Sequence, residues 1–423
     1  MELLNLPYEK YNLNNGLEVI LHKETSLPLV SVNIWYKVGS AYEQKGKTGL
    51  AHLFEHMMFQ GSENVPKEMH FRYIQEAGGT LNGSTNFDRT NYYEKLPSNS
   101  LELALWLESD RMGHFLSALT QEKLDNQKSV VANERLERYD NQPYGLAWEI
   151  VLKNLYPEGH PYSWATIGYL EDIKKYKLED VQDFFRMHYT PDNAALVIAG
   201  DIEINKTKNL VDKYFGSIVP SLQKKEPAII DFRINKNIVV EHLDNVQLER
   251  LYLAWHTDKI YTDDDPKLDV LADILSGSKN SRLYKRLVFD EEISQDISAF
   301  QFSGKFGGMF MIISTAKPGI ALERLKQIIF DEIETVIKRG VEDKELIKTK
   351  NSIKASYIYS MQSLDNIADR LNMYNFYLNE PNKFNFDLLR YNKITNKDVS
   401  DVCRKYLSNP FVELRVISSK KNN

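Results

Sequence analysis

The sequence predicts an α+β protein with two related domains, each a mostly antiparallel sheet covered by helices on one face. Segments typical of strands and of helices follow one another as separate runs, and their order recurs after a polar stretch that begins near Pro220. The length of 423 residues also exceeds one ordinary core. We therefore expect an N-terminal domain over 1–219, a linker over 220–236 and a C-terminal domain over 237–423.

The first half of the chain combines strands with amphipathic helices. Residues 17–22 alternate apolar and polar side chains after the turn signal at 14–16, and residues 29–38 are rich in Val, Ile, Trp and Tyr, which is typical of strands. Residues 49–59 carry apolar pairs at i, i+4 spacing and no proline, which predicts a helix. The other predicted elements are helices at 67–77, 100–119, 121–139 and 178–187 and strands at 91–96 and 194–198.

The second half shows a similar order of elements. Its predicted strands are 238–242, 247–255 and 308–314, and its predicted helices are 266–276, 321–339 and 342–378. The recurrence lies in the order of the elements and not in residue identity. It therefore predicts a degenerate structural repeat.

Composition and charge exclude several classes of protein. The 59 acidic and 53 basic side chains give a formal net charge of -6, and Lys and Arg are scattered, so we expect no nucleic-acid partner. Apolar stretches such as 194–199 are far shorter than the roughly 20 residues of a membrane span. Residues 1–10 lack a secretory pattern, so we expect a cytoplasmic protein, or a periplasmic one if a signal peptide was removed. The only cysteine, Cys403, excludes a disulfide framework and a Cys-rich metal site.

A short motif in the first predicted helix points to a metal ion. The motif His52-Leu53-Phe54-Glu55-His56 places two imidazoles one helical turn apart, with a carboxylate beside the second. Imidazole nitrogens are favoured zinc ligands, and a catalytic zinc keeps one position open for water. Glu55 is then available as a general base. The alternative is a pair of core histidines that only form hydrogen bonds.

Three segments together resemble the pitrilysin/insulinase (M16) family of zinc metallopeptidases, which includes the mitochondrial processing peptidases. The inverted zinc motif H-x-x-E-H of that family stands at 52–56. A Gly-Gly-x-x-Asn segment follows at 78–82, and a Val-Val-x-x-Glu segment stands in a predicted helix at 130–134. The resemblance implies the same two-domain fold, zinc as the cofactor and peptide hydrolysis as the activity.

The resemblance also implies roles for individual residues. It makes His52, His56 and Glu134 the zinc ligands and Glu55 the general base. Glu134 lies 78 positions after His56, which fits the interval in the family. Glu137, one helical turn further along, is the competing third ligand.

In the first half of the chain the match has one departure and two histidines that could be mistaken for ligands. The family tends to carry an acidic residue two turns before the third ligand, where this chain has Gln127. His160 and His188 have no partner at ligand spacing, so we expect structural roles for them. Further matching segments, within a stretch from Leu13 to Asp201, are 143–145, 159–162 and 189–194, running into Gly200-Asp201.

Residues 80–87 form the candidate substrate-binding strand. A peptide is held well as an added strand at a sheet edge, and the resemblance places substrate on this strand beside the zinc helix. Most residues here are small or polar, which allows close approach of another backbone. The alternative is an ordinary solvated hairpin strand. The expected substrate contacts are Leu81, Asn82, Gly83, Ser84 and Thr85.

The second half departs from the family at two expected substrate-contacting positions. The Ser-Arg-Leu-Tyr context is present at 281–284, but the Arg and Tyr expected after it are Val288 and Gln295. A heterodimer is therefore expected, with a related subunit that lacks the zinc motif and supplies the Arg/Tyr pair. A homodimer stays open, because Arg282 or Tyr284 could serve through a shifted alignment.

Taken together, the sequence favours a zinc-dependent endopeptidase that hydrolyses peptides or unfolded segments in a chamber closed by a second subunit. One alternative is a non-catalytic assembly or peptide-binding subunit of the same family. Another is a regulatory module that keeps zinc only for stability. A structural zinc site normally closes with four protein ligands, so the intact Glu55 favours catalysis.

Overall fold

A computed structural model describes residues 6–221, 226–227, 230 and 232–419. The chain divides into two compact units, each drawn from three segments. Unit 1 is drawn from 1–135, 165–228 and 358–385, and unit 2 is drawn from 136–164, 229–357 and 386–423.

The predicted domain boundaries follow sequence order, whereas the compact units follow contacts in space. The boundaries of 1–219, 220–236 and 237–423 therefore stay a prediction. Lys224 and Lys225 of the predicted linker, like residues 1–5, lie outside the described residues.

Groups of strands and groups of helices follow one another along the described chain. The strands are β1 (Glu9–Asn12), β2 (Glu18–Lys23), β3 (Leu29–Tyr36), β4 (Thr80–Thr85), β5 (Thr90–Pro97), β6 (Ala194–Gly200), β7 (Ile238–Asp244), β8 (Arg250–Thr257), β9 (Ser294–Gly304), β10 (Gly307–Ala316) and β11 (Val412–Ser418). The helices are α1 (Leu50–Met57), α2 (Met69–Glu76), α3 (Leu101–His114), α4 (Gln121–Arg135), α5 (Ala147–Leu155), α6 (Leu170–Lys175), α7 (Leu178–His188), α8 (Ile204–Phe215), α9 (Asp265–Ser276), α10 (Leu322–Arg339), α11 (Asp343–Ser360), α12 (Leu364–Leu378), α13 (Phe384–Asn392) and α14 (Asn396–Leu407).

The sheets of the two units share one topology over five strands, and the sheet of unit 1 has β1 as an additional edge strand. The sheet of unit 1 has the order β1-β2-β6-β3-β5-β4, and the sheet of unit 2 has the order β7-β11-β8-β10-β9. In each sheet one pair is parallel, β2 with β6 and β7 with β11, and the other pairs are antiparallel. The predicted α+β class with two related, mostly antiparallel domains is therefore confirmed.

The core of unit 1 lies between its sheet and the helices that follow β3. Alternate residues of a strand point to opposite faces, and Val30, Val32 and Ile34 of β3 are fully buried on one face. Phe54 of α1 is buried as well, and its ring stacks on that of Tyr189 at 4.2 Å between centroids. This packing attaches the helix that carries the metal motif to the core.

A helix from the C-terminal part of the chain covers the opposite face of the same sheet. The Oδ1 atom of Asp369 on α12 accepts hydrogen bonds from Trp35 Nε1 at 3.0 Å and Asn91 Nδ2 at 3.2 Å. In unit 2, Trp148 of α5 similarly stacks on Phe300 of β9, on the face opposite Ile297 of the main core. Each sheet thus carries a helix on the face that the prediction left open.

Three predicted helices end earlier than expected. The predicted helix at 100–119 ends as an α-helix at His114 and is followed by a 3-10 turn over Leu116–Ala118. The predicted helix at 342–378 is two helices, α11 and α12, because turn-like hydrogen bonds at Met361 and Gln362 are followed by an extended Ser363. The predicted helix at 121–139 ends as an α-helix at Arg135 and continues as a π-turn over Leu136–Asp140.

Candidate metal centre

The motif helix α1 presents its polar side chains away from the core. Leu53, Phe54 and Met57 are fully buried, whereas His52 and His56, one turn apart, are partly exposed. The imidazole ring centroids lie 4.8 Å apart. Both rings therefore face one region on the outer side of the helix.

A buried carboxylate fixes the start of this helix. The Glu43 carboxylate accepts hydrogen bonds from the backbone N–H groups of Gly49 and Ala51, both at 2.8 Å. The first turn of α1 has no acidic residue of its own. Glu43 therefore satisfies N–H groups that have no partner within the helix and complements the helix dipole.

Close backbone contact fixes the same end of α1 against the 167–168 loop. Gly49 has a φ of +84° and Gly168 a φ of +74°, which L residues with a Cβ rarely adopt. A Cβ on Gly49 would lie 2.5 Å from the carbonyl oxygen of Ile167. Thr48 reinforces the contact, because its hydroxyl donates to the carboxylate of Asp172 at 2.8 Å.

Glu134 comes from the last turn of α4. Val131 and Arg135 on this helix are buried, and the Arg135 guanidinium donates to the carbonyl of Gly168. Because Gly168 also contacts Gly49 at the start of α1, one loop holds both helices. This arrangement brings Glu134 to the imidazoles of α1.

The structure brings His52, His56 and Glu134 together. Glu134 Oε2 lies 3.2 Å from His56 Nε2 and 3.8 Å from His52 Nε2. One donor atom from each of the three residues lies within 4.8 Å of the others. Glu137 is not part of this cluster in the described chain, so the geometry favours Glu134 over its competitor.

The donor set fits zinc. Catalytic zinc sites commonly use three protein ligands, including a set of two histidines and one carboxylate, with a fourth position left for water or substrate. Donors about 2 Å from one tetrahedral ion lie about 3–3.5 Å from one another, and the two Glu134–imidazole distances are 3.2 and 3.8 Å. The three donor atoms, which lie within 4.8 Å of one another, are thus close enough to share one ion.

Glu55 lies beside the cluster and is held by strand β4. Its Oε2 atom accepts a hydrogen bond from the Thr85 hydroxyl at 2.6 Å. Burial raises the pKa of the Glu55 carboxyl, and the bond from Thr85 opposes that rise. A Cβ on Gly83 would lie 3.2 Å from Glu55 Cγ, so glycine leaves room for the carboxylate.

Strand β4 is the edge of its sheet, as expected for the candidate substrate strand. Along an antiparallel strand, the backbone groups of alternate residues bond to the partner strand, and those of the residues between them point away. The Asn86 N–H donates to the Arg89 carbonyl. Ser84, two positions earlier, therefore bonds to β5 as well. The backbone groups of Leu81, Gly83 and Thr85 then face away from β5. These groups are available to an added strand.

His160 and His188 are engaged by their own neighbouring residues. His160 is buried, stacks on Tyr156, and accepts a hydrogen bond at Nδ1 from Tyr162 N–H at 3.0 Å. His188 is buried beside the ring of Phe184. Neither histidine joins the cluster found in the described residues, which agrees with the structural roles expected of them.

Sequence reasoning did not identify how the site is held in place, although it named Thr85 as a substrate contact. Glu43, Asp172 and Thr85 position α1, its N-terminal loop and the candidate base. Glu43 had a local signal, because it precedes a helix whose first turn lacks an acidic residue. Asp172 is 124 positions from Thr48 and Thr85 is 30 positions from Glu55, so local pattern could not reveal either contact.

The fold and this donor set define a metallopeptidase-like protein. Residues 18–161 match the family model for insulinase, peptidase family M16. Residues 175–353 match the model for the peptidase M16 inactive domain. The segment without the H-x-x-E-H motif thus matches a separate model from the one that contains it.

Known relatives agree with both matches. The chain is 30% identical over 369 residues to the zinc protease PqqE of Helicobacter pylori, covering 85% of this chain and 82% of the relative. It is 25% identical over 376 residues to a probable mitochondrial-processing peptidase subunit beta of Arabidopsis thaliana, covering 84% of this chain and 68% of the relative. The chain belongs to peptidase family M16.

Solved structures show the same fold. A crystal structure of a protease from Helicobacter pylori superimposes with a TM-score of 0.90 at 27% identity, over 98% of this chain and all of the other. A peptidase M16 inactive domain from Pseudomonas fluorescens superimposes with a TM-score of 0.85 at 19% identity, over 98% of this chain and 99% of the other. Among the described residues, every helix is too short or too polar to cross a bilayer.

Proposed function

We propose that this chain is a zinc-dependent endopeptidase that hydrolyses peptides or unfolded segments. The convergence of His52, His56 and Glu134, with donor atoms within 4.8 Å of one another, carries the proposal. Membership of family M16 and the zinc-protease names of relatives support it. The family also has a model described as an inactive domain, so the argument rests on the residues of the motif itself.

The residues divide the chemistry between them. His52, His56 and Glu134 would hold the ion. Bound zinc supplies a Lewis acid and lowers the pKa of water toward about 7. Glu55 accepts a proton as general base and returns it to the leaving amine as general acid. Partial burial of Glu55 raises its pKa toward the range useful for this exchange.

The substrate is proposed to add to the sheet at β4. The outward backbone groups of Leu81, Gly83 and Thr85 can pair with an extended peptide. Asn82 Oδ1 accepts a hydrogen bond from the Gly83 N–H at 2.9 Å. A substrate carbonyl would take over that N–H as it binds, while the Thr85 side chain stays on Glu55.

A second subunit is proposed to complete the substrate chamber. Val288 packs against the core of unit 2 and Gln295 is exposed, and neither side chain can supply the charge of an arginine. Arg282 is tied to Glu345 at 2.7 Å and to Glu332 at 3.2 Å. Using Arg282 through a shifted alignment would break these ion pairs, so a related subunit that carries the Arg/Tyr pair is the better source.

Replacing the base while keeping the ligands tests the catalytic proposal. The Glu55→Gln variant should keep the zinc content of the wild type and lose at least about 100-fold in kcat on an internally quenched peptide. A matched control is Glu122→Gln, an exposed amide substitution on α4, which should change neither quantity. Retained hydrolysis in Glu55→Gln would reject the base. A zinc-loaded wild type that stays inactive together with its co-purifying subunit would favour the non-catalytic subunit.

Purification under native conditions tests the partner. A second chain of similar size should co-purify, and its addition should raise kcat on the order of 10²–10³, the value of a missing oxyanion donor. An Arg282→Ala variant should retain the response to that subunit. Full activity of this chain without the related subunit would contradict the heterodimer.

A further inference from the structure

Strand β4 faces the catalytic centre with two small residues. Thr85 and Gly83 are two positions apart and share one face of the strand. On that face the Thr85 hydroxyl is 2.6 Å from Glu55 Oε2, and Gly83 leaves room beside Glu55 Cγ. Ser84 points to the other face, where its hydroxyl donates to Asn91 Oδ1 at 2.7 Å.

The backbone of Thr85 belongs to the free edge of the sheet. The alternation along the hairpin directs its N–H and C=O away from β5, toward the position proposed for the substrate strand. One residue therefore joins the edge that would bind a peptide to the carboxylate that would remove a proton. A threonine hydroxyl can donate only one hydrogen bond, and here Glu55 receives it.

The Glu55 side chain depends on this contact for its orientation. Glu55 has several rotatable bonds, and its carboxylate meets Thr85 where α1 packs against β4. Position 85 is held in turn by the hairpin, because Arg89 Nη1 donates to the Ser84 carbonyl at 2.8 Å. The Arg89 guanidinium also lies 5.0 Å from the centroid of the Trp35 ring.

We propose that Thr85 is a positioning residue for peptide hydrolysis, whose hydroxyl holds the Glu55 carboxylate in its reactive orientation at the substrate-binding edge. This inference rests on the proposed endopeptidase function. It adds a requirement for a hydroxyl at position 85 that acts on the chemical step. Loss of a group that orients a catalytic side chain typically costs about 10- to 100-fold in rate.

A conservative pair of variants separates orientation from packing. Thr85→Val keeps the shape of the side chain and removes the donor, whereas Thr85→Ser keeps the donor. With the zinc-loaded full chain and any co-purifying subunit, Thr85→Val should lower kcat about 10- to 100-fold with KM and zinc content unchanged. Thr85→Ser should stay within about threefold of the wild type.

The matched control is Thr349→Val in unit 2, which also removes a threonine hydroxyl that donates to a carboxylate, that of Asp273, at 2.6 Å, and should leave kcat within about twofold. A kcat for Thr85→Val within twofold of the wild type would overturn the inference, as would equal losses in Thr85→Val and Thr349→Val. A rise in KM alone would assign Thr85 to substrate binding and would also overturn it.

A measurement without substrate distinguishes this inference from the proposed function. In a double-mutant cycle on the metal-free chain, the decreases in Tm caused by Thr85→Val and Glu55→Ala should be non-additive, because each change removes the same hydrogen bond. Additive decreases would overturn the contact even if the wild type is active. Non-additive decreases, together with a zinc-loaded wild type that stays inactive with its co-purifying subunit, would reject the peptidase proposal while the contact stands.

Discussion

Strand β3 of unit 1 and strand β8 of unit 2 occupy equivalent places in the two sheets, and a helix follows each of them. The two helices differ in the side chains that they expose. In unit 1 this helix is α1, which presents His52, Glu55 and His56 to its outer side. In unit 2 it is α9, most of whose residues, including Leu268 and Leu271, are buried. The same position in the fold thus carries either a candidate metal site or part of a core.

The acidic residues of α9 are engaged by neighbouring side chains of unit 2. Asp265 pairs with Arg390 at 2.8 Å, and Asp269 accepts a hydrogen bond from the Tyr391 hydroxyl at 2.6 Å. By contrast, the carboxylate of Glu55 is opposite a single threonine hydroxyl on an edge strand. A shared topology therefore does not determine function, which depends on the residues placed on it.

Removal of a ligand is the strongest test of this difference. His56→Ala and Glu134→Ala should each lose zinc and all measurable hydrolysis, because three protein ligands are the minimum of a catalytic site. Metal analysis should give one zinc per wild-type chain. Two control variants, His242→Ala in unit 2 and His114→Ala on the surface of unit 1, should retain one zinc per chain. Two zinc ions per chain, or loss of zinc in His242→Ala, would contradict the difference between the two units.

The general pattern of the fold was accessible from sequence because it depends on local periodicity. Strand β3 and helix α1 were predicted to within two residues at each end, and β4 was predicted as an edge. Strand β9 was not predicted, since its apolar residues are interrupted by Ser and Gln. It forms a strand because it pairs with β10 through a tight turn.

The candidate ligands were accessible for a different reason. His52, Glu55 and His56 lie within one turn and a half of one helix, so spacing alone predicts that they converge. Glu134 needed the family resemblance, because no local pattern distinguishes it from Glu137. The residues that orient the site could not be predicted, since the contact of Thr85 with Glu55 depends on how α1 meets β4.

Asp269, a partly buried acid of α9, predicts a pH effect confined to unit 2. Burial raises the pKa of Asp269 to about 7; Asp265 and Asp387 add to the rise, and Tyr391 and Arg390 oppose it. An aspartate in the unfolded chain titrates near about 4. The folded chain therefore binds more protons between about pH 4 and 7, and its stability falls as pH rises through that window.

The Asp269→Asn variant should remove this dependence. Between pH 5 and 8 the free energy of unfolding of the wild type should fall relative to that of the variant by roughly 2–3 kcal/mol. Urea denaturation of the metal-free chain at both pH values measures the difference. A wild type and variant with parallel pH profiles would show that Asp269 is ionised at neutral pH, and the contrast with α1 would lose this part of its basis.

The two helices also begin differently, which predicts a smaller effect. Helix α9 starts with Asp265 and Pro266 in its own first turn, whereas α1 takes its anion from Glu43, which accepts hydrogen bonds from Gly49 and Ala51 N–H. A glutamine at position 43 keeps one acceptor but loses the charge at a helix N-terminus.

The Glu43→Gln variant should therefore lower the free energy of unfolding by about 1–2 kcal/mol and weaken zinc binding, because the first turn of α1 supports His52. Urea denaturation and zinc titration of the same preparation measure both effects. Glu102→Gln is the control, since this carboxylate pairs with Lys213 on the exposed surface and its loss should cost less than about 1 kcal/mol. Equal losses of stability in the two variants, with unchanged zinc affinity, would contradict this prediction. The Glu43 carboxylate would then stabilise the fold no more than an ordinary surface ion pair does.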